Sequence, residues 1–337
     1  MDLVRHCEER SDEAIHISAC GAMDCFATLA MTADKGWQMK IFCTGASGYI
    51  GGSVAAHLIA AGHQVTGLVR SPEKADAVRA RGIQPLLGTL DDGKILAQAA
   101  QAADIVVNAA SADHKGAVES LLGALAGSGK PFIHTSGSSI VGTRSKGERS
   151  DAVFDEDAPI TPSPARVARV ALNEFILSHR DKGCRPVIIC PSLIYGLGHG
   201  ANPDSVQVPL LIKLARKRGN AAHAGPGENI WSNVHIDDLV TLYALAIEKA
   251  PAGAFYFAES GENSMREVCE AINRMLGLQG SPMAMSMAEA ASEWGEGTAE
   301  DTMASNSRVR AKRARQLCWK PKARSLIEEI EQGCYRE

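Results

Sequence analysis

No stretch of this 337-residue sequence reaches eighteen consecutive apolar residues, so no membrane span is offered. Its nine cysteines contain no C-x-x-C pair. That scatter supplies neither a zinc knuckle nor a disulfide framework, and it fits reduced thiols in a cytoplasmic protein. Cys43 and Cys190 lie in apolar runs and read as small core side chains. A strong charge of either sign is missing too, since 35 Lys and Arg against 39 Asp and Glu leave −4. Seven of those acids and three of those bases fall within residues 1–38, so the remainder is neutral with 32 of each. A neutral body lacks the field that draws nucleic acid or an anionic membrane surface. A small molecule is the expected partner, with neither nucleic acid nor membrane. His235, Asp237 and Asp238 lack convincing zinc spacing, and no metal is expected.

What is present begins at Met39. The run Lys40-Ile41-Phe42-Cys43-Thr44 reads as a buried strand and leads into Gly45-Ala46-Ser47-Gly48-Tyr49-Ile50-Gly51-Gly52. A helix from Ser53 to Ala61 and a strand from His63 to Val69 follow. In this strand–turn–helix–strand setting G-x-x-G-x-x-G is a dinucleotide site. Gly45 permits the tight turn, Gly48 lets a pyrophosphate approach the backbone, and Gly51 lets helix and strand pack closely. The helix N-terminus offers free N–H groups and a positive dipole end to the phosphates. Cofactor choice is read just beyond the second strand, at Leu68-Val69-Arg70-Ser71. A site for NAD sets a carboxylate there, whereas here the first acid is Glu73. Arg70 can pair with a 2′-phosphate and Ser71 can add a hydroxyl, so NADP(H) is favoured over NAD(H).

The alternation continues through strands at 83–87, 104–109 and 130–135, with helices at 91–102 and 117–126 between them. Such a pattern is an α/β chain with a doubly wound, Rossmann-type parallel sheet. Ala109, Ala110 and Ser111 end a strand at its carboxyl edge, where ligands bind in such sheets.

The motifs together resemble the extended short-chain dehydrogenase/reductase superfamily, in its NAD-dependent epimerase/dehydratase group. The likeness spans 39–337. It is carried by Thr44-Gly45-x-x-Gly48-x-x-Gly51, Thr135-Ser136-Gly137-Ser138-Ser139-Ile140-Val141-Gly142, Pro191-Ser192-Leu193-Ile194-Tyr195-Gly196 and Asn233-Val234-His235-Ile236-Asp237-Asp238-Leu239. It implies that Ser47, Tyr49, Ile50, Ser136 and Pro191 join the cofactor contacts. It also implies a Rossmann domain over 39–195, to which 229–250 returns, and an interleaved substrate-binding lobe from 196–228 and 251–337. Dimers are common in the resembled family, so a homodimer is one expectation.

The resemblance breaks at catalysis. The family carries Ser or Thr with Y-x-x-x-K, whose lysine lowers the phenol's pKa while the tyrosine moves the proton. The corresponding helix, Ser163 to Glu174, holds neither tyrosine nor lysine. The pair becomes Ala165/Arg169 or Arg166/Val170, depending on register, and the serine position falls on Gly137. Arginine stays protonated and is a poor acid near neutrality, but it can hold a carboxylate or phosphate, or steady an oxyanion. Arg166 and Arg169 share a helix face, as substrate donors or as a solvated basic surface. Ser136 and Ser138 flank the serine position, and Tyr195 supplies a phenol near the pocket. The glycine-rich segment 196–203 reads as a mobile loop bordering that pocket. Ser264-Met265-Arg266-Glu267 opens a helix with a capping box, and Met283, Met285, Met287 and Met303 read as gap-filling core.

Two functions stay open. One is an NADP(H)-dependent oxidoreductase on a small carbonyl, alcohol or sugar-like molecule. Ser138, Arg166 and Arg169 then act as orienting donors, and water or Tyr195 supplies the proton. The other is a non-catalytic NADP(H)-binding sensor with a protein partner. Residues 1–38 show no persistent periodicity, open with mixed charge unlike a signal peptide, and resemble recurrent bacterial intergenic repeats. They read as a disordered extension or a mis-assigned start, with Met39 as the native first residue. Sequencing the N-terminus of the native protein is expected to find Met39; finding Met1 or Asp2 refutes it.

Overall fold

The computed structural model describes residues 38–336; the expectation for the N-terminal extension lies outside them. The strands that frame the site are β1 (Lys40–Thr44), β2 (Gln64–Val69), β3 (Gln84–Leu87), β4 (Ile105–Asn108), β5 (Pro131–Thr135), β6 (Arg185–Pro191), β7 (Leu193–Tyr195), β8 (Ile230–His235), β9 (Ala254–Ala258) and β10 (Gly261–Ser264). Seven of them build one sheet in the order β9-β6-β5-β4-β1-β2-β3, parallel at every pairing. The apolar runs read from the sequence are its centre, because a strand covered on both faces has no reason to alternate. β1 is buried from Ile41 onward, and β4 and β5 are buried along their whole length. β7, β8 and β10 form a second, small sheet.

The principal helices are α1 (Tyr49–Ala60), α2 (Pro72–Arg79), α3 (Gly93–Ala102), α4 (Lys115–Leu125), α5 (Val167–Ser178), α6 (Gln207–Arg218), α7 (Ile236–Lys249) and α8 (Met265–Leu276). Right-handed crossovers place helices on both faces of the sheet: α1 and α7 pack against each other, and α3, α4 and α5 pack in series. The strand order reverses between β1 and β4, which opens a crevice at their carboxyl ends. None of the described helices is long and apolar enough to cross a membrane.

Helix α1 starts at Tyr49, four residues before the sequence reading, so Gly51 and Gly52 lie inside the helix. Close packing explains them. A Cβ on Gly51 would stand 2.5 Å from the Gly45 carbonyl oxygen, and one on Gly52 would stand 2.5 Å from Gly200 Cα. A second apolar cluster, separate from the sheet's own, gathers Tyr195, Trp231, Leu211, Val268 and Ile272 from β7, β8, α6 and α8. The capping box at Ser264 and Glu267 forms as read. Met285 and Met303 are buried as expected, but Met283 is 44% exposed, at the open end of the short strand Met283–Met285, which pairs with Ala222–Ala224.

A chain of buried polar groups crosses the middle of the sheet. Thr44 Oγ1 donates to Asn108 Oδ1 at 2.6 Å, and Asn108 Nδ2 donates to His134 Nδ1 at 3.0 Å. The chain joins β1, β4 and β5 at the carboxyl edge, where the ladder bonds end and the crevice begins. With Nδ1 accepting, the ring proton sits on Nε2. Burial, reinforced by the Arg169 charge, holds the His134 pKa down to about 4, so the ring is neutral in the folded protein near pH 7. An unfolded chain protonates this histidine near pH 6.5. Stability is therefore full above that value, falls as the pH drops from about 6.5 to 4, and levels off below. The shift amounts to about 3 kcal/mol. Urea unfolding of wild type and His134→Gln at pH 7.5 and pH 4.5 should show the wild type losing more stability by an amount of that order. Equal losses in the two proteins contradict the assignment.

Candidate functional site

The crevice between β1 and β4 is a cleft of 810 Å³ walled by Gly45, Ser47, Gly48, Arg70, Ala109 and Ala110, among others. Its geometry follows from one bend. Gly45 sits at φ +77°, and a Cβ there would lie 2.7 Å from the Ala109 carbonyl carbon. Only glycine has both the backbone freedom and the room. The bend delivers the chain into α1, whose N-cap is Gly48, with no side chain capping it and no acid in the first turn. The first-turn N–H groups thus face the cleft with the positive end of the helix dipole behind them. A smaller pocket of 280 Å³ adjoins, lined by Gly48, Tyr49, Ile50, Ala109, Ser192 and Gln207 among others.

Arg70 leaves β2 at the outer end of the large cleft, and Lys74 joins it from the first turn of α2. Neither side chain has a hydrogen-bonding or ion-pair partner among the described residues. Lys74 was missed in the sequence reading, though it stands three residues after a helix cap and so shares that helix end. Ser71 is more occupied than expected, because its hydroxyl accepts from Lys74 N and caps α2. The same serine holds the Glu73 carboxyl below its ordinary pKa through a hydrogen bond. Asp91 and His114, paired at 3.1 Å, line the opposite wall.

The segment 196–203 is pinned rather than free. A Cβ on Gly198 would meet the Tyr49 ring at 2.6 Å, and one on Gly200 would meet the Gly48 carbonyl oxygen at 2.7 Å. Tyr49 Oη donates to the Gly196 carbonyl (2.8 Å), Ser53 Oγ accepts from His199 N (2.9 Å), and His199 Nε2 lies 2.7 Å from Asp237 Oδ1. The glycines here buy close contact with α1, and Ala201 and Asn202 form a fixed wall of the cleft.

The other expected residues divide. Ser136 is buried and accepts from Asn173 Nδ2 at 3.0 Å, while Pro191 ends β6 next to Ser192. Ser138 is 1% exposed and turned inward, its Oγ accepting from Ser307 Oγ at 2.9 Å. Tyr195 is equally buried, and its hydroxyl donates to the Arg324 carbonyl at 2.7 Å. Burial drives that phenol's pKa up, away from proton exchange near neutrality. The structure brings neither Ser138 nor Tyr195 to the cleft.

It does bring the two arginines together. The chain turns through a 3₁₀ segment, Pro164–Arg166, before α5 begins. Arg169, rather than Val170, faces the Gly137 turn, with Nη1 3.4 Å from the place a Gly137 Cβ would take. Arg169 forks onto Asp113 through Nε (2.7 Å) and Nη2. Arg166 Nε (2.9 Å) and Arg169 Nη1 (3.3 Å) both donate to Ser139 Oγ. Ser139 is the serine that the sequence reading passed over. Its signal is faint, since only the 3₁₀ turn of Ser138–Val141 decides which serine faces outward.

Comparison with known proteins agrees with this architecture. The chain is 33% identical over 342 residues to the oxidase ucsJ of an Acremonium species, covering 87% of this chain and 95% of that one. It is 28% identical over 269 residues to 2-alkyl-3-oxoalkanoate reductase of Stenotrophomonas maltophilia, covering 72% and 77%. Its fold matches that of UDP-glucose 4-epimerase from Thermotoga maritima with a TM-score of 0.70 at 18% identity, covering 87% and 96%. The sequence profile described as NAD dependent epimerase/dehydratase family matches residues 41–256. With its glycine bend, seven-stranded parallel sheet and crevice at the strand reversal, the chain belongs to the NAD dependent epimerase/dehydratase family.

Proposed function

We propose that this protein is an NADP(H)-dependent oxidoreductase acting on a small carbonyl compound or the corresponding alcohol. The observation that carries the cofactor half is the cleft itself. An uncapped helix end stands behind a glycine bend that no side chain could occupy. In this reading the N–H groups following Gly48 take the pyrophosphate, and Gly45 with Ala109 and Ala110 lets the dinucleotide lie against backbone. Arg70 and Lys74 are two cations without a side-chain partner among the described residues, at the end of β2 where a 2′-phosphate would lie. Two acids also line the cleft: Glu73, held by a hydrogen bond from Ser71, and Asp91, paired with His114. An arginine fork matches a phosphate well and gains nothing from an unphosphorylated ribose.

Bound nicotinamide supplies or accepts a hydride; the chain's own residues must hold the reacting oxygen and keep the site ordered. Arg166, Ser139 and Arg169 stand at the carboxyl end of β5, beside the loop 109–114 that also walls the cofactor cleft. Arg169, locked on Asp113, is a fixed positive charge rather than an acid. Ser138 and Tyr195 drop out of the reaction in this reading and anchor the segments that frame it. Residues 196–228 and the chain after β9 are taken as the lobe that covers the substrate; the expected boundary at 251 shifts, because Ala254–Ala258 is the edge strand of the large sheet. The oxidase and reductase among the relatives support redox chemistry, and a soluble cytoplasmic protein fits the lack of any long apolar helix among the described residues.

Calorimetric titration is expected to give tighter binding of NADPH than of NADH. Arg70→Ala should weaken NADPH about tenfold or more, the size of one lost charge-assisted contact, while leaving NADH nearly unchanged. Tighter NADH binding by the wild type refutes the cofactor assignment. NADPH that binds but is never oxidised across a broad panel of ketones and aldehydes favours the sensor reading instead.

A further inference from the structure

Donors outnumber acceptors at the carboxyl end of β5. Ser139 Oγ accepts from Arg166 Nε at 2.9 Å and from Arg169 Nη1 at 3.3 Å. With two donors on that oxygen, its lone pairs are used. The hydroxyl proton must point away from both guanidinium groups, and it meets no acceptor among the described residues. Arg169 is satisfied by the Asp113 carboxylate. Arg166 is not. Beyond its Nε bond, its two Nη groups have no hydrogen-bonding or ion-pair partner among the described residues. The carboxylates whose fields reach it are Asp113 and Asp301, and these are engaged by Arg169 and Arg144.

An arginine on an open helix face would satisfy itself with water and sample many rotamers. This one is half-buried and tethered through Nε to a serine that a second arginine holds from the other side. Its free edge is therefore preset, which removes the ordering cost that a ligand would otherwise bear. Gly137 adds room, because the position carries no side chain to fill the space in front of Arg169. The cluster also lies next to the proposed cofactor. Asp113 belongs to the same loop as Ala109, Ala110 and His114, which wall the cleft.

The unmatched groups are thus several N–H donors on one planar cation and one O–H donor beside it. A neutral ketone oxygen would satisfy the hydroxyl and leave the guanidinium uncompensated. A carboxylate presents only acceptors, carries the missing charge, and fits the guanidinium edge with two parallel bonds. We infer that Arg166 and Ser139 form a carboxylate subsite, so that the substrate is a small oxo acid or the matching hydroxy acid. Arg166 takes the carboxylate on its free edge, and the Ser139 hydroxyl donates to the same group. Arg169 and Asp113 position the pair without touching the ligand. The inference rests on the oxidoreductase reading for its location but not for its chemistry.

The test uses the full chain, with 3-oxobutanoate and its neutral methyl ester as probes, in binding titrations and in NADPH oxidation. The acid is expected to bind about tenfold or more tightly than the ester, the equivalent of one or two charge-assisted hydrogen bonds. Arg166→Gln should erase that preference, Arg166→Lys should restore part of it, and Ser139→Ala should reduce it severalfold. Unchanged NADPH affinity in each variant shows that the fold and cofactor cleft are intact. Absence of saturable acid binding, equal affinity for acid and ester, or a preference that survives Arg166→Gln overturns the subsite. Arg166-dependent acid binding without NADPH consumption supports the subsite and refutes the oxidoreductase reading. Equal consumption with acid and ester does the reverse.

Discussion

The whole arrangement depends on how closely two pieces of backbone approach at the end of the first strand. Gly45 turns with φ +77° directly over the Ala109 and Ala110 backbone, while Gly51 in α1 rides on the Gly45 carbonyl. These contacts leave no space for a Cβ on either residue. They fix the axis of α1 relative to the sheet, and so the direction in which its free N–H groups point. The loop 196–203 then settles onto the same helix through Gly198 and Gly200, again backbone to backbone or backbone to ring. One steric constraint thus sets the floor, the end wall and the side wall of the cleft. A methyl group at Gly51 would move all three, because a well-packed interface passes a displacement on rather than absorbing it.

Beside this packed scaffold, the helical segment after β5 carries Ala165 and Arg169, where the resembled family is expected to carry a tyrosine and a lysine. A phenol and an ammonium on neighbouring helical turns would make a proton relay, since one can titrate while the other steadies the charge. Ala165 and Arg169 cannot do this, because the first has no polar group and the second never releases its proton. What the site gains is charge that does not vary with pH and hydrogen-bond donors of fixed direction. His134 does not take up the relay, for burial keeps it neutral and Asn108 holds one ring nitrogen. In the proposed reading these residues hold negative charge rather than move protons, which suits an electrostatic role better than an acid–base one.

The sheet and the cofactor bend were legible in the sequence because both are local. Apolar runs, a glycine spacing and the alternation of strands with helices lie within about thirty residues of each other, and backbone geometry does the rest. The side chains around the proposed reaction centre were less legible, for a different reason in each case. Ser136, Ser138 and Ser139 look alike in sequence, and only the 3₁₀ turn aims Ser139 outward while Ser138 meets Ser307, 169 positions away. Tyr195 reads as a candidate acid until its hydroxyl is seen to donate to Arg324, a partner 129 residues distant. The glycines of 196–203 read as freedom because composition does not reveal what packs against them. Lys74 was passed over because helix starts usually draw acids, and a cation there has meaning only once the cleft in front of it is known.

The position of Arg166 is itself set from far along the chain. The segment from Thr143 to Ser163, which carries the backbone from β5 to α5, contains little regular structure and would not hold its course alone. Residues 305–313 hold it. Phe154 exchanges backbone hydrogen bonds with Arg308 and Arg310 at 2.9 and 2.8 Å, and Asp157 pairs with Lys312 and Arg313. The half-buried Glu156 accepts from the amides of Phe257 (3.0 Å) and Arg313 (3.2 Å), binding the segment to the edge strand β9 as well. Surface ion pairs of this kind are individually weak, but the backbone bonds and the Glu156 bridge are not exposed to the same screening. Lys312 and Arg313 of the basic run near the C-terminus are thus paired with an acidic segment of the same chain. The effect is to deliver the first turn of α5 to the end of β5 at one fixed height. The two guanidinium groups can then meet on a single serine oxygen.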